Sequence, residues 1–263
     1  MKKDSIFRPS ILPWFTLTAG GIGFILRMIL LKTQMEPGGL LKAGHPLSIA
    51  LYILTACTLA VLALCVLPLK IMPHRYRRPF RKTNRAALGC MFGAIGILVS
   101  SLQMVLRQVE FFTMITIVMA FVAALCLGFL AYARQKGSRP HYLIHAGIII
   151  FLMLQLVCQY RIWSPEPQLD LYFFPLLASV FLLLTTYQGL CLDILKGDRR
   201  QYVFCNQAAL FFCCLSLMDS QCFFYLGMGI FCATNLCTLR VSHSYYAEKE
   251  AAPAETTESG EEA

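Results

Sequence analysis

Four polar residues recur inside long apolar runs of the sequence, each near the carboxyl-terminal end of its run: Arg27, Gln103, Gln155 and Ser216. Arg107 follows Gln103 by four residues, and Gln159 follows Gln155 by four, so each pair shares a helical face. A guanidinium binds anionic groups, and an amide both donates and accepts hydrogen bonds. These six residues predict a pocket open to the outside of the membrane, for a small anionic or amide-bearing ligand.

Arg27 also has two interpretations that need no ligand. It lies four residues inside the end of its apolar run, where a long basic side chain can reach the membrane surface. It could equally pair with Glu110, which lies at the same end of a neighbouring run, in a structural ion pair. The sequence leaves these alternatives open.

The sequence carries no motif of a known catalytic chemistry. It has no H-E-x-x-H, no G-x-S-x-G and no glycine-rich phosphate loop. Carboxylates that border the apolar runs lie at their ends, not at mid-membrane depth. We therefore expect a protein that is not an enzyme, with no catalytic residues, no metal and no cofactor.

Two other groups of residues could bind metals or form cross-links. His141 and His145 are four residues apart, as metal ligands on one helix face would be, but no third ligand is near them in sequence. We interpret them as a histidine pair at the membrane interface. The 12 cysteines include no C-x-x-C pair and lie mostly in apolar runs, which predicts small buried apolar side chains rather than disulfides.

The composition predicts the elements that position these residues. Of the 263 residues, 57% are hydrophobic and only 14% are charged, which indicates a polytopic membrane protein. Apolar runs of about 18 residues or more predict membrane-spanning helices. The eight predicted spans are Ile11–Leu31, Pro46–Leu69, Ala86–Leu106, Phe111–Ala133, Tyr142–Tyr160, Leu171–Leu195, Tyr202–Met218 and Cys222–Leu239.

The basic residues predict the orientation of the spans. With the N-terminus inside, 18 of the 23 Lys and Arg residues fall on the cytoplasmic side, as the positive-inside rule requires. Both termini are then cytoplasmic, in a membrane that we take to be the plasma membrane. The richest loop is interpreted as a contact for anionic lipid rather than nucleic acid; its basic residues are Arg75, Arg77, Arg78, Arg81, Lys82 and Arg85.

The predicted fold class is all-α: eight transmembrane helices arranged as four helical hairpins. The recurring polar residue, together with a Leu-Cys pair in each second helix of a hairpin, suggests a parallel internal repeat. Residues 1–246 form a single transmembrane bundle domain. Residues 247–263 carry six Glu and one Lys and are predicted to be a disordered acidic cytoplasmic tail.

Two functions fit these observations. The first is a small transporter or permease, or another ligand-binding membrane protein, with the outward-facing pocket described above. The second is a non-transporting sensor or an assembly subunit, which would use stripes of small residues to bind another membrane protein. Gly89, Gly93 and Gly96 form such a stripe. Pro175, followed by Thr185, Thr186 and Gln188, marks one further place for a ligand contact, because a helix kinked beside polar residues often binds one, although such kinks are also common in inert bundles.

Overall fold

The structure, a computed structural model, is a bundle of α-helices. It describes residues 12–34, 46–67, 80, 83–107, 111–163, 169–194 and 197–239. The helices are α1 Leu12–Gln34, α2 Pro46–Val66, α3 Asn84–Arg107, α4 Phe111–Lys136, α5 Tyr142–Trp163, α6 Leu169–Asp193, α7 Arg199–Leu215 and α8 Cys222–Thr238, with a short 3-10 turn at Ser216–Met218. Each begins and ends within one helical turn of its predicted span.

Seven of these helices are long and apolar enough to cross a membrane. The helix α8 is shorter, at 17 residues, which is about the minimum length for a span. Large apolar side chains such as Trp14, Ile53 and Leu125 are exposed on the outer faces of the bundle, where hydrocarbon would cover them. The chain is therefore an all-α polytopic membrane protein, as the sequence predicts.

The helix α7 occupies the centre of the bundle. It packs against α1, α2, α6 and α8, whereas α5 packs against α4 and α6, and α3 packs against α4 and α8. In an apolar 18-residue stretch of each helix, 67% of the α7 residues are buried but only 28% of the α2 residues. A helix surrounded by protein needs little lipid-facing surface, which explains how α7 can carry Asn206 and Gln207 at mid-span. In a repeat of four equivalent hairpins, α3, α5 and α7 would have equivalent neighbours, but α7 has different ones. The packing therefore does not support the internal repeat, which stays a prediction.

The small-residue stripes contact helices of the same chain. A Cβ atom on Gly96 would lie 2.9 Å from the Cα of Gly227, so α3 and α8 cross with their backbones nearly touching. Gly89 faces Thr234 of α8, and Gly20 of α1 faces Cys214 of α7. These glycines are therefore used for packing within the bundle, rather than for a second protein as the assembly-subunit hypothesis supposed.

Candidate functional site

Buried polar side chains gather at the two ends of the bundle. We call the end where α1, α3, α5 and α7 begin the inner end, after the predicted orientation, and the opposite end the outer end. The outer cluster consists of Arg27, Asp219, Gln155, Gln159 and Gln221 with their hydrogen-bond partners. The inner cluster consists of Arg134, Asp193, His145 and Thr185.

In the outer cluster, Arg27 of α1 pairs with Asp219, which lies in the turn between α7 and α8. The Nη2–Oδ1 distance is 2.9 Å and the Nη1–Oδ2 distance is 3.0 Å. Nη1 also donates to the carbonyl oxygen of Leu215 at 2.6 Å, and the guanidinium lies 5.3 Å from the ring centroid of Phe174. Because Arg27 is only 3% exposed, it does not reach the membrane surface. Its described carboxylate partner is Asp219, and Glu110 lies outside the described residues.

Three glutamine side chains form the rest of the outer cluster. The Oε1 atom of Gln221 accepts hydrogen bonds from the Nε2 atoms of Gln155 and Gln159, both at 2.6 Å. The Oε1 atom of Gln159 accepts from the hydroxyl of Ser179 at 3.2 Å. These amides are buried and hydrogen-bond to one another and to neighbouring helices, so they are largely satisfied without a ligand.

Among the described residues, three of the six predicted to line an open outer vestibule are bonded to protein groups in this conformation. Arg27, Gln155 and Gln159 are buried and bonded to protein groups, because Asp219 and Gln221, on the turn before α8, reach into the space between them. Ser216 is fully buried and the side chain of Gln103 is partly buried; Ser216 Oγ and Gln103 Oε1 have no hydrogen-bond partner within the described ranges. The side chain of Arg107 lies outside them. The role of these residues in binding a ligand stays a prediction.

In the inner cluster, the carboxylate of Asp193, at the end of α6, contacts the side chains of Arg134 and His145. The Nη1 and Nη2 atoms of Arg134 are 3.3 and 3.0 Å from the two carboxylate oxygens, and the Nε2 atom of His145 is 2.9 Å from Oδ2. All three side chains are almost fully buried. The cluster joins α4, α5 and α6 near the inner surface, and the sequence interpretation assigned none of these three residues to a site.

A residue of the basic loop covers the inner cluster. The ring centroid of Phe80 lies 3.5 Å from the guanidinium carbon of Arg134, and the same ring packs edge-on against Tyr202. Phe80 also forms an isolated antiparallel backbone bridge with Leu239, just after α8. The loop therefore sends an aromatic side chain into the bundle. Arg85 is exposed, as a lipid contact would be, and the other five basic residues assigned to lipid lie outside the described residues.

The inner cluster surrounds a small cavity with unsatisfied polar groups. The cavity has a volume of about 10 Å³, close to the minimum for one water molecule. Arg134, His145 and Thr185 line it, and in each of them one buried polar atom has no hydrogen-bond partner in the described structure: Nε, Nδ1 and Oγ1 respectively. Thr186 lines it too, but its hydroxyl donates to the carbonyl of Leu182 at 2.9 Å. Unpartnered buried groups around one cavity are what a polar ligand would satisfy.

Comparison with known protein families, with curated protein sequences and with solved structures finds no match to this chain. Function must therefore be inferred from the two clusters and from the polar groups between them.

Asn206 of α7 is a fully enclosed polar side chain between the clusters. It is 0% exposed, and neither its Oδ1 nor its Nδ2 atom has a hydrogen-bond partner in the part of the chain that is described. It follows Tyr202, which lines the inner cavity, by four residues, so it lies about 6 Å further along the same helical face. Gln207, the next residue, is bonded to Thr16 of α1.

The two histidines do not act as a pair. His141 is exposed and lies against the ring of Tyr142, whereas His145 is buried and bonded to Asp193. The interpretation of an interfacial histidine pair was therefore wrong for His145, because the polar ends of α4 and α6 give it a buried partner. Within the described ranges, no group of three or more His, Cys, Asp or Glu side chains could hold a metal ion.

Proposed function

We propose that the protein is a small transporter or permease of the plasma membrane, and that its solute binds in the inner cavity. The observation that carries the proposal is one cavity lined by Arg134, His145 and Thr185, each of which has an unpartnered buried polar atom. An unsatisfied buried polar group costs about 1–3 kcal/mol. A polar solute that hydrogen-bonds to them would recover part of that cost, and this gives it a reason to bind there.

Ion pairs near both ends of the bundle support a transport role. Arg27 and Asp219 join α1 to the turn before α8, while Arg134 and Asp193 join α4 to α6, so different helices are tied at the two ends. Ionisable residues buried within a membrane commonly mark the path of a solute or ion. We interpret this conformation as a closed one, in which breaking one pair at a time would open the bundle on one side.

The alternative function, a sensor or an assembly subunit, has less support. It drew on the small-residue stripes as binding surfaces for another membrane protein. Gly20, Gly89 and Gly96 instead face side chains or backbone of their own chain. The stripes therefore no longer favour a protein partner.

The orientation and the lipid contacts are part of the proposal. Arg85, Lys136 and Arg200 lie near the ends of helices at the inner end, where anionic lipid head groups would attract them. We expect both termini to be cytoplasmic. A fluorescent protein fused to the C-terminus should then be bright in cells, and alkaline phosphatase fused there should be inactive; the opposite result would reverse the orientation.

A thermal-shift screen of the purified protein tests the solute site. A solute at about 100 times its dissociation constant should stabilise the folded state by about 2.7 kcal/mol. We expect Thr185→Val to abolish the response to any solute that raises the Tm of the wild type. Thr55→Val is the matched control, because Thr55 is buried outside the cavity, its hydroxyl is already bonded to the carbonyl of Leu51, and the change in shape is the same.

Two results would contradict the proposal. The first is a broad panel of anions, amino acids, amides, polyols and nucleosides in which no compound raises the Tm. The second is a solute whose effect is lost equally in both threonine variants, or only when Arg27 is changed. That second result would place the solute site in the outer cluster instead of the inner cavity.

A further inference from the structure

The inner cavity offers both a donor and an acceptor to its occupant. Asp193, when ionised, can only accept hydrogen bonds, so the Nε2 atom of His145 must donate to it. In neutral His145 the other ring nitrogen, Nδ1, is then an acceptor. The Nε atom of Arg134 can only donate, and the hydroxyl of Thr185 can do either. With His145 neutral, an occupant that satisfies every group accepts from Arg134 and donates to His145.

Asn206 has the same double requirement. Its Nδ2 atom donates and its Oδ1 atom accepts, and neither is bonded to another described group. It lies one helical turn beyond Tyr202, towards the middle of the membrane. A molecule that leaves the inner cavity along α7 would meet a second set of groups with the same chemistry.

The charges nearby do not call for an ionic occupant. Asp193 contacts both terminal nitrogens of Arg134, so the positive charge of Arg134 already has a counter-charge. An added carboxylate could not donate to Nδ1 of His145, and an added cation would meet the guanidinium. Transfer of an unpaired charge into this buried site is also unfavourable, because the charge loses its hydration.

We infer that the solute is a small neutral molecule with both a hydrogen-bond donor and an acceptor, of the class of urea, simple amides and short polyols, and that Asn206 is its second binding point. This inference rests on the proposed transport function and names its substrate class. A cavity of about 10 Å³ has room for about one water molecule, which would occupy the site until a solute displaces it. The helices must separate for a larger solute to enter, so small solutes are favoured.

The test compares neutral and charged solutes of matched shape in liposomes that contain the purified full chain. Uptake of labelled urea is compared with that of guanidinium, and uptake of acetamide with that of acetate at pH 8. We expect at least one neutral solute to enter at least tenfold faster than into empty liposomes. We expect neither guanidinium nor acetate to exceed its rate into empty liposomes.

Variants separate a binding role from a structural one. Asn206→Leu keeps the branched shape and the number of side-chain heavy atoms and removes the unpartnered amide, so we expect it to fold with an unchanged or higher Tm. Its uptake of the neutral solute should fall at least tenfold, as should that of Thr185→Val, while Thr55→Val, outside the cavity, should match the wild type. If Asn206→Leu transports normally, Asn206 is not a binding point; if it does not fold, Asn206→Ser provides the same comparison with a smaller side chain.

The outcomes for the substrate class and for transport itself are distinct. Uptake of acetate or guanidinium alone would overturn the neutral class and leave the proposed transport function standing. If liposomes that contain folded protein take up none of the four solutes, and no glycerol, faster than empty liposomes do, the assignment to neutral solutes is wrong. If the thermal-shift panel also gave no response, the transport function would fall with it.

Discussion

Arg27 of α1 and Asp219 of the α7–α8 turn are joined by two nitrogen–oxygen contacts of 2.9 and 3.0 Å, and Arg27 also donates to the Leu215 carbonyl. The buried guanidinium of Arg27 thus joins α1 to the end of α7 and to the turn between α7 and α8. The pair closes the space between α1 and α7 at the outer end. Its removal should therefore affect both stability and access to the bundle.

Replacement of Arg27 should destabilise the protein at neutral pH. Arg27→Met leaves the Leu215 carbonyl and the partly buried Asp219 without their donor, and we expect a loss of about 1–3 kcal/mol. Arg27→Lys keeps the charge but cannot contact both carboxylate oxygens and the carbonyl together, so its loss should be smaller. Arg161→Met is the control, because Arg161 is exposed. Equal changes in Tm for Arg27→Met and Arg161→Met would show that the pair contributes nothing to stability.

The same ion pair predicts a dependence of stability on pH. Burial raises the pKa of the Asp219 carboxyl from 3.8 to about 6, although the nearby Arg27 lowers it. The native state therefore binds this proton more tightly than the unfolded chain does. The stability from Asp219 is fully present below about pH 4 and is lost as the pH rises through about 6.

Thermal unfolding between pH 4 and pH 8 can measure this effect. Asp219→Asn cannot titrate, so the Tm of the wild type minus that of the variant isolates the carboxyl group. We expect this difference to fall as the pH is raised through 6. A difference that grows with pH would instead mean that the ionised pair is the more stable form.

The number of helices and their ends could be predicted from the sequence because they depend on local properties. A span needs about 20 apolar residues whatever its neighbours are, and the basic residues suggest an orientation by counting alone. The central place of α7 was not predicted. Its lower apolar content and its buried Asn206 were the signal, since a helix that faces lipid would not carry an amide at mid-span.

The partners of the polar side chains could not be predicted because they depend on which helices are neighbours. Arg27 and Asp219 are 192 residues apart, and the sequence offered Glu110 as an equally good partner. Arg134 and Asp193 each looked like an ordinary charge at the inner end of a span. Only the packing of α4 beside α5 and of α5 beside α6 brings them, with His145, into one buried cluster.

Loss of the Asp193 charge should be among the most damaging changes at the inner end. Asp193→Asn leaves the buried guanidinium of Arg134 without its counter-charge, and we expect a loss of about 3–5 kcal/mol. Asp198→Asn is the matched control. Asp198 caps α7 by accepting from the backbone N–H of Arg200 at 2.9 Å, and asparagine caps equally well. Comparable yields and Tm values for the two variants would argue against a buried ion pair.

The crossing of α3 and α8 should tolerate no added methyl group. A Cβ atom on Gly96 would lie 2.6 Å from the backbone oxygen of Phe223, so Gly96→Ala must push the helices apart, and we expect a loss of about 1–3 kcal/mol. Gly21→Ala and Gly128→Ala add the same methyl group where no atom lies within 4 Å. These controls should be neutral or gain about 0.5–1 kcal/mol from helix propensity. A neutral Gly96→Ala would mean that the two helices are further apart.

Phe80 should hold the inner end closed. Phe80→Leu fills most of the space but removes the ring from above Arg134, and we expect a loss of about 0.5–2 kcal/mol. Phe80→Ala also leaves a gap beside Tyr202, so its loss should approach 3 kcal/mol. Phe111→Ala is the control, because Phe111 is exposed.

If Phe80 closes the path to the inner cavity, Phe80→Ala should also speed solute uptake into liposomes relative to Phe80→Leu. Slower uptake in proportion to lost stability would assign Phe80 a packing role alone.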